Sequence, residues 1–294
     1  MFAGFEKQQR QVNGLTISYR IGGTGPALLL LHGHPQTHVI WHKVAEQLAT
    51  EFTVVAADLR GYGDSDRPAA DAEHLHYSKR EMALDAAELM HSLGFEQFSV
   101  LAHDRGARVA HRLALDHPHA VRQMVLLDIA PTLAMYTQTD EAFARAYWHW
   151  FFLIRPAPLP ESLIEANPEL FLRSVMGSRS AGLKPFTPEV FGEYLRCLQI
   201  PGSARGICED YRASAGIDLE HDRADIAAGN QLTLPLLVLW GAEGTVGRCF
   251  DPLKEWQQVA TDVRGKALPS GHYIAEEVPE LLLEEVLGFF AERV

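Results

Sequence analysis

Ala102-His103-Asp104-Arg105-Gly106 follows the apolar run Phe98–Ala102 and leads into the helix-like stretch Arg105–Asp116. A buried strand that runs into small-x-acid-x-small and then a helix has the pattern of a nucleophile elbow, with Asp104 in the slot where serine is common. The small residues Ala102 and Gly106 allow the sharp turn and let helix pack on strand. The elbow lifts Asp104 to the upper edge of a sheet, beside a helix N-terminus whose dipole favours negative charge. An aspartate that merely caps a helix fits the same five residues, so the order of the other motifs has to decide.

Outward from the elbow, four more short apolar or β-branched runs read as buried strands: Ala27–Leu31, Thr53–Ala57, Gln123–Leu127 and Leu236–Trp240. Helix-like stretches lie among them at His38–Ala49, Lys79–Leu93, Arg105–Asp116 and Glu280–Phe290. Strands alternating with helices predict an α/β fold, a mostly parallel sheet with helices on both faces. The alternation breaks between about Pro131 and Leu234, where Tyr147-Trp148-His149-Trp150-Phe151-Phe152 is followed by a proline-rich connection, Arg155–Pro160. This stretch reads as an inserted helical cap, residues 131–234, over a core of residues 1–130 and 235–294. Such a cap, at the carboxyl ends of the strands, would roof the site.

Leu31-His32-Gly33-His34-Pro35 directly follows the first of these strands. A turn of this kind places the backbone N–H of His34, with that of Arg105, where an oxyanion develops. His32, His34, His38 and His42 also admit a metal-site reading, but no Asp-His or H-E-x-x-H completes it. Late in the chain, Pro269-Ser270-Gly271-His272-Tyr273 supplies a base, His272, in nucleophile–acid–histidine order. The orienting acid is Asp128, at the end of Gln123–Leu127. Glu243, in Gly241-Ala242-Glu243-Gly244, is the reserve. These motifs together indicate the α/β-hydrolase fold.

The formal net charge is −12, 47% of the residues are apolar, and no Lys/Arg stripe occurs. That argues against nucleic acid and anionic membrane as partners. Three cysteines, Cys197, Cys208 and Cys249, form no C-x-x-C pair and fit a reducing compartment. No apolar h-region opens the sequence and no run is long enough to span a bilayer, so a cytoplasmic location is expected. No cofactor and no metal are expected.

An aspartate nucleophile restricts the chemistry to saturated carbon bearing a leaving group, or to an epoxide. At His103-Asp104-Arg105-Gly106-Ala107-Arg108 the sequence resembles the fluoroacetate (haloacetate) dehalogenases. The likeness extends through Leu31-His32-Gly33, Asp58-Leu59-Arg60-Gly61-Tyr62-Gly63, Leu127-Asp128-Ile129, Tyr147-Trp148-His149-Trp150, Asp210-Tyr211-Arg212-Ala213 and Gly271-His272. The resemblance implies hydrolytic dehalogenation of a short 2-haloacid, with Arg105 and Arg108 gripping the substrate carboxylate. It also implies halide donors at His149, Trp150 and Tyr211, and a homodimer. The i, i+3 spacing puts both arginines on one helix face, where guanidinium forks suit a carboxylate. Trp148, Phe151 and Phe152 are expected in the cap core. This chain departs from the family at His34, where an aromatic Phe is usual.

The competing activity is an epoxide hydrolase with the same Asp–His–Asp machinery. Its two ring-opening tyrosines would be Tyr211 and either Tyr147 or Tyr194. A neutral epoxide is expected to leave Arg105 and Arg108 unpaired in a small pocket, which counts against it. A hydrolase-fold binding protein would need a broken triad.

Overall fold

The computed structural model describes residues 1–292; the last two residues of the expected core, 293–294, lie outside them. The strands are β1 (Glu6–Val12), β2 (Leu15–Gly22), β3 (Ala27–Leu31), β4 (Thr53–Ala57), β5 (Phe98–His103), β6 (Val121–Leu127), β7 (Leu236–Gly241) and β8 (Val263–Leu268). They form one sheet in the order β1-β2-β4-β3-β5-β6-β7-β8. β1, β2 and β4 pair antiparallel, and every pairing from β4 through β8 is parallel.

The central strands are apolar on both sides because helices cover both faces. Leu28 and Leu30 of β3 pack on one face with Trp41, Val286 and Phe290. Leu29 and Leu31 pack on the other with Met82, Leu89 and Val109. Alternate residues of one strand thus feed two separate cores, as the period of two requires.

Three elements differ from the sequence expectation. The first is the hairpin β1–β2, turned by Asn13 and Gly14 at φ 47° and 74°. An Asn-Gly pair with both residues left-handed is a favoured two-residue hairpin turn, so the signal was present in the sequence. β1 is largely exposed and charged, EKQQRQV, and lacks the apolar run that marks a buried strand. The second is β8, whose exposed Arg264 and Lys266 hide it in the same way. The third is His38–Ala49, which is a 3-10 turn, His38–Lys43, followed by a short helix, Ala45–Leu48. The consecutive residues His38, Val39, Ile40 and Trp41 are all buried there, so one-sided helical periodicity cannot apply.

Between β6 and β7 the chain is helical, the stretch expected to form the cap. Helices Trp148–Leu153, Pro168–Gly177, Pro188–Leu198 and Ser203–Ala215 belong to it. Trp148, Phe151 and Phe152 are half-buried and pack against the upper core. No helix among the described residues is long and apolar enough to cross a membrane.

Candidate active site

β5 delivers Asp104 at the head of helix Asp104–Asp116, with φ at 47°. The turn is tightly packed. A side chain at Gly106 would strike the carbonyls of Leu31 and His32, and one at Gly33 would strike Asp104 itself. The Gly106 N–H donates to the His32 carbonyl at 2.8 Å, stitching the elbow to the turn after β3. The His34 amide donates to Asp104 Oδ1 at 2.9 Å. The Arg105 amide makes no such bond among the described residues, so only one of the two expected backbone donors is on the carboxylate. Burial alone would raise the Asp104 carboxyl. His272, His103, Arg105 and Arg108 outweigh it and hold the group well below the usual carboxylate range.

His272 comes from the loop after β8. Its Nδ1 pairs with Asp128 Oδ2 at 2.5 Å. Asp128, at φ 48°, takes a second hydrogen bond on Oδ1 from the Gly241 amide at 3.0 Å. With Nδ1 donating to the carboxylate, Nε2 is left as the acceptor, and this buried atom has no partner among the described residues. Glu243, the reserve acid, is exposed. The four clustered histidines do not converge. His32 Nε2 accepts from the Leu59 amide, His38 pairs with Asp58, and His42 Nδ1 meets the Val39 carbonyl. The His34 ring has no polar partner, and burial lowers its imidazole to about 3, which leaves it neutral.

The two arginines are not equivalent, and this corrects the expectation that both stand unpaired. Arg105 is fully engaged on one side. Its Nε and Nη2 donate to Asp210 Oδ2 and Oδ1 at 2.9 and 2.6 Å, and Nη2 also reaches Ser214 Oγ. Asp210 further holds Lys79 and accepts from the Tyr62 hydroxyl at 2.7 Å. Only Arg105 Nη1 lacks a partner. Arg108, by contrast, meets no carboxylate among the described residues. Nη1 donates to Thr132 Oγ1 at 2.8 Å, the guanidinium lies 4.8 Å from the Trp150 ring centre, and Nε is buried without a partner. Burial and the neighbouring Arg105 charge both lower its affinity for a proton. The weight of the argument against a neutral substrate therefore falls on Arg108 alone.

The cap lowers three predicted residues onto this floor. Tyr211 is 6.0 Å from His149 and 6.2 Å from Trp150, ring to ring. Trp150 Nε1 and the Tyr211 hydroxyl are buried without partners. The Tyr147 hydroxyl is likewise unpartnered, and its ring is 6.3 Å from that of His272. Tyr194, the other tyrosine considered, donates to Glu276 instead. A surface cleft of about 220 Å³, lined by Leu133, Asp222 and Val259 among others, shares no residue with the centre.

Two groups were not anticipated. Asp210 stands next to Tyr211 in sequence, but nothing local marks its partner 105 residues away. Arg179, from the cap loop between helices Pro168–Gly177 and Pro188–Leu198, lies 4.3 Å from the Tyr147 ring centre, with Asp104 among its electrostatic neighbours. A lone arginine in a loop carries no sequence signal.

A buried carboxylate with an amide on one oxygen, a histidine–aspartate pair with a free ring nitrogen, and unpaired cations and donors above them can carry out displacement followed by hydrolysis. Comparison with known proteins gives a consistent picture. The alpha/beta hydrolase fold family matches residues 26–277. The chain is 45% identical to a fluoroacetate dehalogenase of Burkholderia sp, over 95% of this chain and 92% of that protein. It is 34% identical to a soluble epoxide hydrolase of Corynebacterium sp. (strain C12), over 96% of each. The crystal structure of a protein from Nostoc sp PCC 7120, described as an alpha/beta hydrolase, superposes with a TM-score of 0.96 at 53% identity, over 99% of both chains.

Proposed function

The chain belongs to the fluoroacetate dehalogenase family of the alpha/beta hydrolases, and on that premise we propose that it hydrolyses the carbon–halogen bond of short 2-haloacids such as fluoroacetate or chloroacetate. The products are the 2-hydroxy acid and halide. The observation that carries this reading is Arg108, a buried guanidinium without a carboxylate partner, one turn beyond Asp104 on the same helix. A substrate carboxylate supplies the missing counter-charge, with Arg105 Nη1 as the second donor.

Because the His34 amide occupies Oδ1, Oδ2 of Asp104 is the attacking atom in this reading. It forms the new bond to C2 while the carbon–halogen bond breaks and the halide leaves with the electron pair. His149, Trp150 and Tyr211 donate to the departing halide. His272 Nε2 then takes a proton from water, and the hydroxide adds to the ester carbon of Asp104. Oδ1 becomes the oxyanion, held by the His34 and Arg105 amides. As the bond between the ester carbon and Oδ2 breaks, His272 returns its proton to Oδ2, which leaves as the hydroxyl of the 2-hydroxy acid; loss of the remaining proton restores the Asp104 carboxylate, which now carries one oxygen from water. Asp128 orients His272 throughout. The division into a core, 1–130 and 235–294, and a cap, 131–234, is part of the same proposal, since each contributes half of the site.

The second reading, epoxide opening, is favoured by one observation: the Tyr147 and Tyr211 hydroxyls are both buried without partners above Asp104. Parallel assays with fluoroacetate, chloroacetate and a styrene-type epoxide separate the two. Halide release with little epoxide turnover supports the dehalogenase; the reverse pattern overturns it.

A further inference from the structure

The reaction centre is enclosed. Asp104, Arg108, Trp150, Tyr211 and His272 are all buried, so ions must pass a boundary to enter or leave. Arg179 lies on that boundary. The residue is half-buried, and its Nε is shut off from solvent with no hydrogen-bond partner among the described residues. It forms no ion pair with a carboxylate among the described residues. Its guanidinium rests on the Tyr147 ring at 4.3 Å. Its electrostatic neighbours are Tyr147, Tyr273, Asp104 and Tyr211, and its charge also reaches His34 and His149. The loop that carries it, 178–187, sits directly on the turn before His272: a side chain at Gly271 would collide with Ser180 Oγ. A cation on a half-buried loop residue, with its guanidinium among groups of the buried centre, stands between that centre and the surface.

We propose that the 178–187 loop is the doorway of the centre, and that the Arg179 guanidinium beside Tyr147 and Tyr273 is a transient station for a monovalent anion, the haloacid carboxylate on entry and the halide on exit. This rests on the dehalogenase reading. Charge bookkeeping supports it. Displacement moves the negative charge of Asp104 onto the halide as the carbon–halogen bond breaks. Arg179, which faced that carboxylate, then faces a neutral ester, and the halide becomes its available counter-ion. The Tyr147 ring, with its negative face toward the guanidinium, holds the side chain in place without neutralising it.

The test compares wild type with Arg179→Met and Arg179→Lys. Wild-type chloride release from chloroacetate is scored first, and its absence is a failure of the dehalogenase reading, not of the doorway. Arg179→Met is expected to lower kcat/KM for chloroacetate roughly tenfold or more at low ionic strength. The deficit should shrink as sodium sulfate is added. Its inhibition constant for sodium bromide should rise by a similar factor. In a His272→Asn background, the rate of Asp104 alkylation at saturating chloroacetate should change less than about twofold. Arg179→Lys should recover most of kcat/KM. Bromide binding read by tryptophan fluorescence scores the station even where no turnover occurs. Wild-type values of kcat/KM, salt response and bromide inhibition in Arg179→Met overturn the proposal. So does a collapse of the saturated alkylation rate, which would place Arg179 in the displacement itself. Should Arg179→Met not fold, wild type decides: kcat/KM for chloroacetate must fall with added sulfate while that for neutral chloroacetamide does not, and equal responses overturn the doorway.

Discussion

Asp210 receives the guanidinium of Arg105 on both carboxylate oxygens, at 2.9 and 2.6 Å, although Arg105 belongs to the elbow helix and Asp210 to cap helix Ser203–Ala215. The bond joins the helix that starts at Asp104 to a helix inserted between β6 and β7. Burial raises the Asp210 carboxyl, but Arg105 and Lys79 overcome this and keep it charged. One arginine of the pair thus has its counter-ion within the protein, and the other has no carboxylate partner among the described residues.

Asp210→Asn should therefore damage the fold as well as the chemistry. It strands the buried Arg105 guanidinium and leaves Lys79 with Asp218 alone, at 3.6 Å, and breaking a buried pair typically costs about 3–5 kcal/mol. Thermal unfolding checks this, and an unchanged Tm would show that Asp210 is not the counter-ion.

Arg108→Leu should behave differently, because no carboxylate loses its partner. Stability should change little, while kcat/KM for a haloacetate falls roughly 30-fold or more, the equivalent of about 2–5 kcal/mol. Haloacetamide, neutral and similar in shape, should be a poor wild-type substrate and lose little further. Equal treatment of acid and amide by wild type would remove carboxylate recognition from Arg108.

His272→Asn should permit alkylation and block hydrolysis. Mass spectrometry after incubation with chloroacetate should find a covalent adduct on Asp104, and Asp104→Ala should show neither adduct nor turnover. An unmodified His272→Asn protein that still turns over would eliminate His272 as the base.

A pH dependence is built in at Glu276. Burial pushes this carboxyl from its ordinary 4.5 up to about 8, among the side chains of Tyr194 and Gln36, which both donate to it. Between those values the folded protein keeps a proton that the unfolded chain has released. Stability from this group is therefore full below the lower value and declines as pH rises through the upper one. Glu276→Gln has no proton to lose. Its Tm relative to wild type should climb from about pH 5 to about pH 8; a difference that stays level across that range would show that Glu276 is already ionised.

Legibility in the sequence followed the range of the interaction. β3 and β4 end where their apolar runs end, and Asp104, Asp128 and His272 meet as their order along the chain implied, because local packing and elbow glycines fix those positions. The β1–β2 hairpin and β8 were missed because their residues are exposed and polar; burial pattern says nothing there, although Asn13-Gly14 did mark the turn. The inequality of Arg105 and Arg108 was invisible for a different reason. It depends on Asp210, whose proximity is a property of the folded cap, and no spacing rule reaches that far. Arg179 falls in the same class.

Asp104 and Asp128 both hold left-handed backbone, at φ 47° and 48°, a region that glycine enters freely and that costs other residues on the order of 1 kcal/mol. The two acids of the centre are thus kept where the polypeptide would not place them unaided. On the proposed role of Asp104, selection for heat resistance alone would favour glycine at position 104 and end with a sturdier protein that no longer turns over. Any stabilisation campaign on this chain therefore has to score product as well as melting.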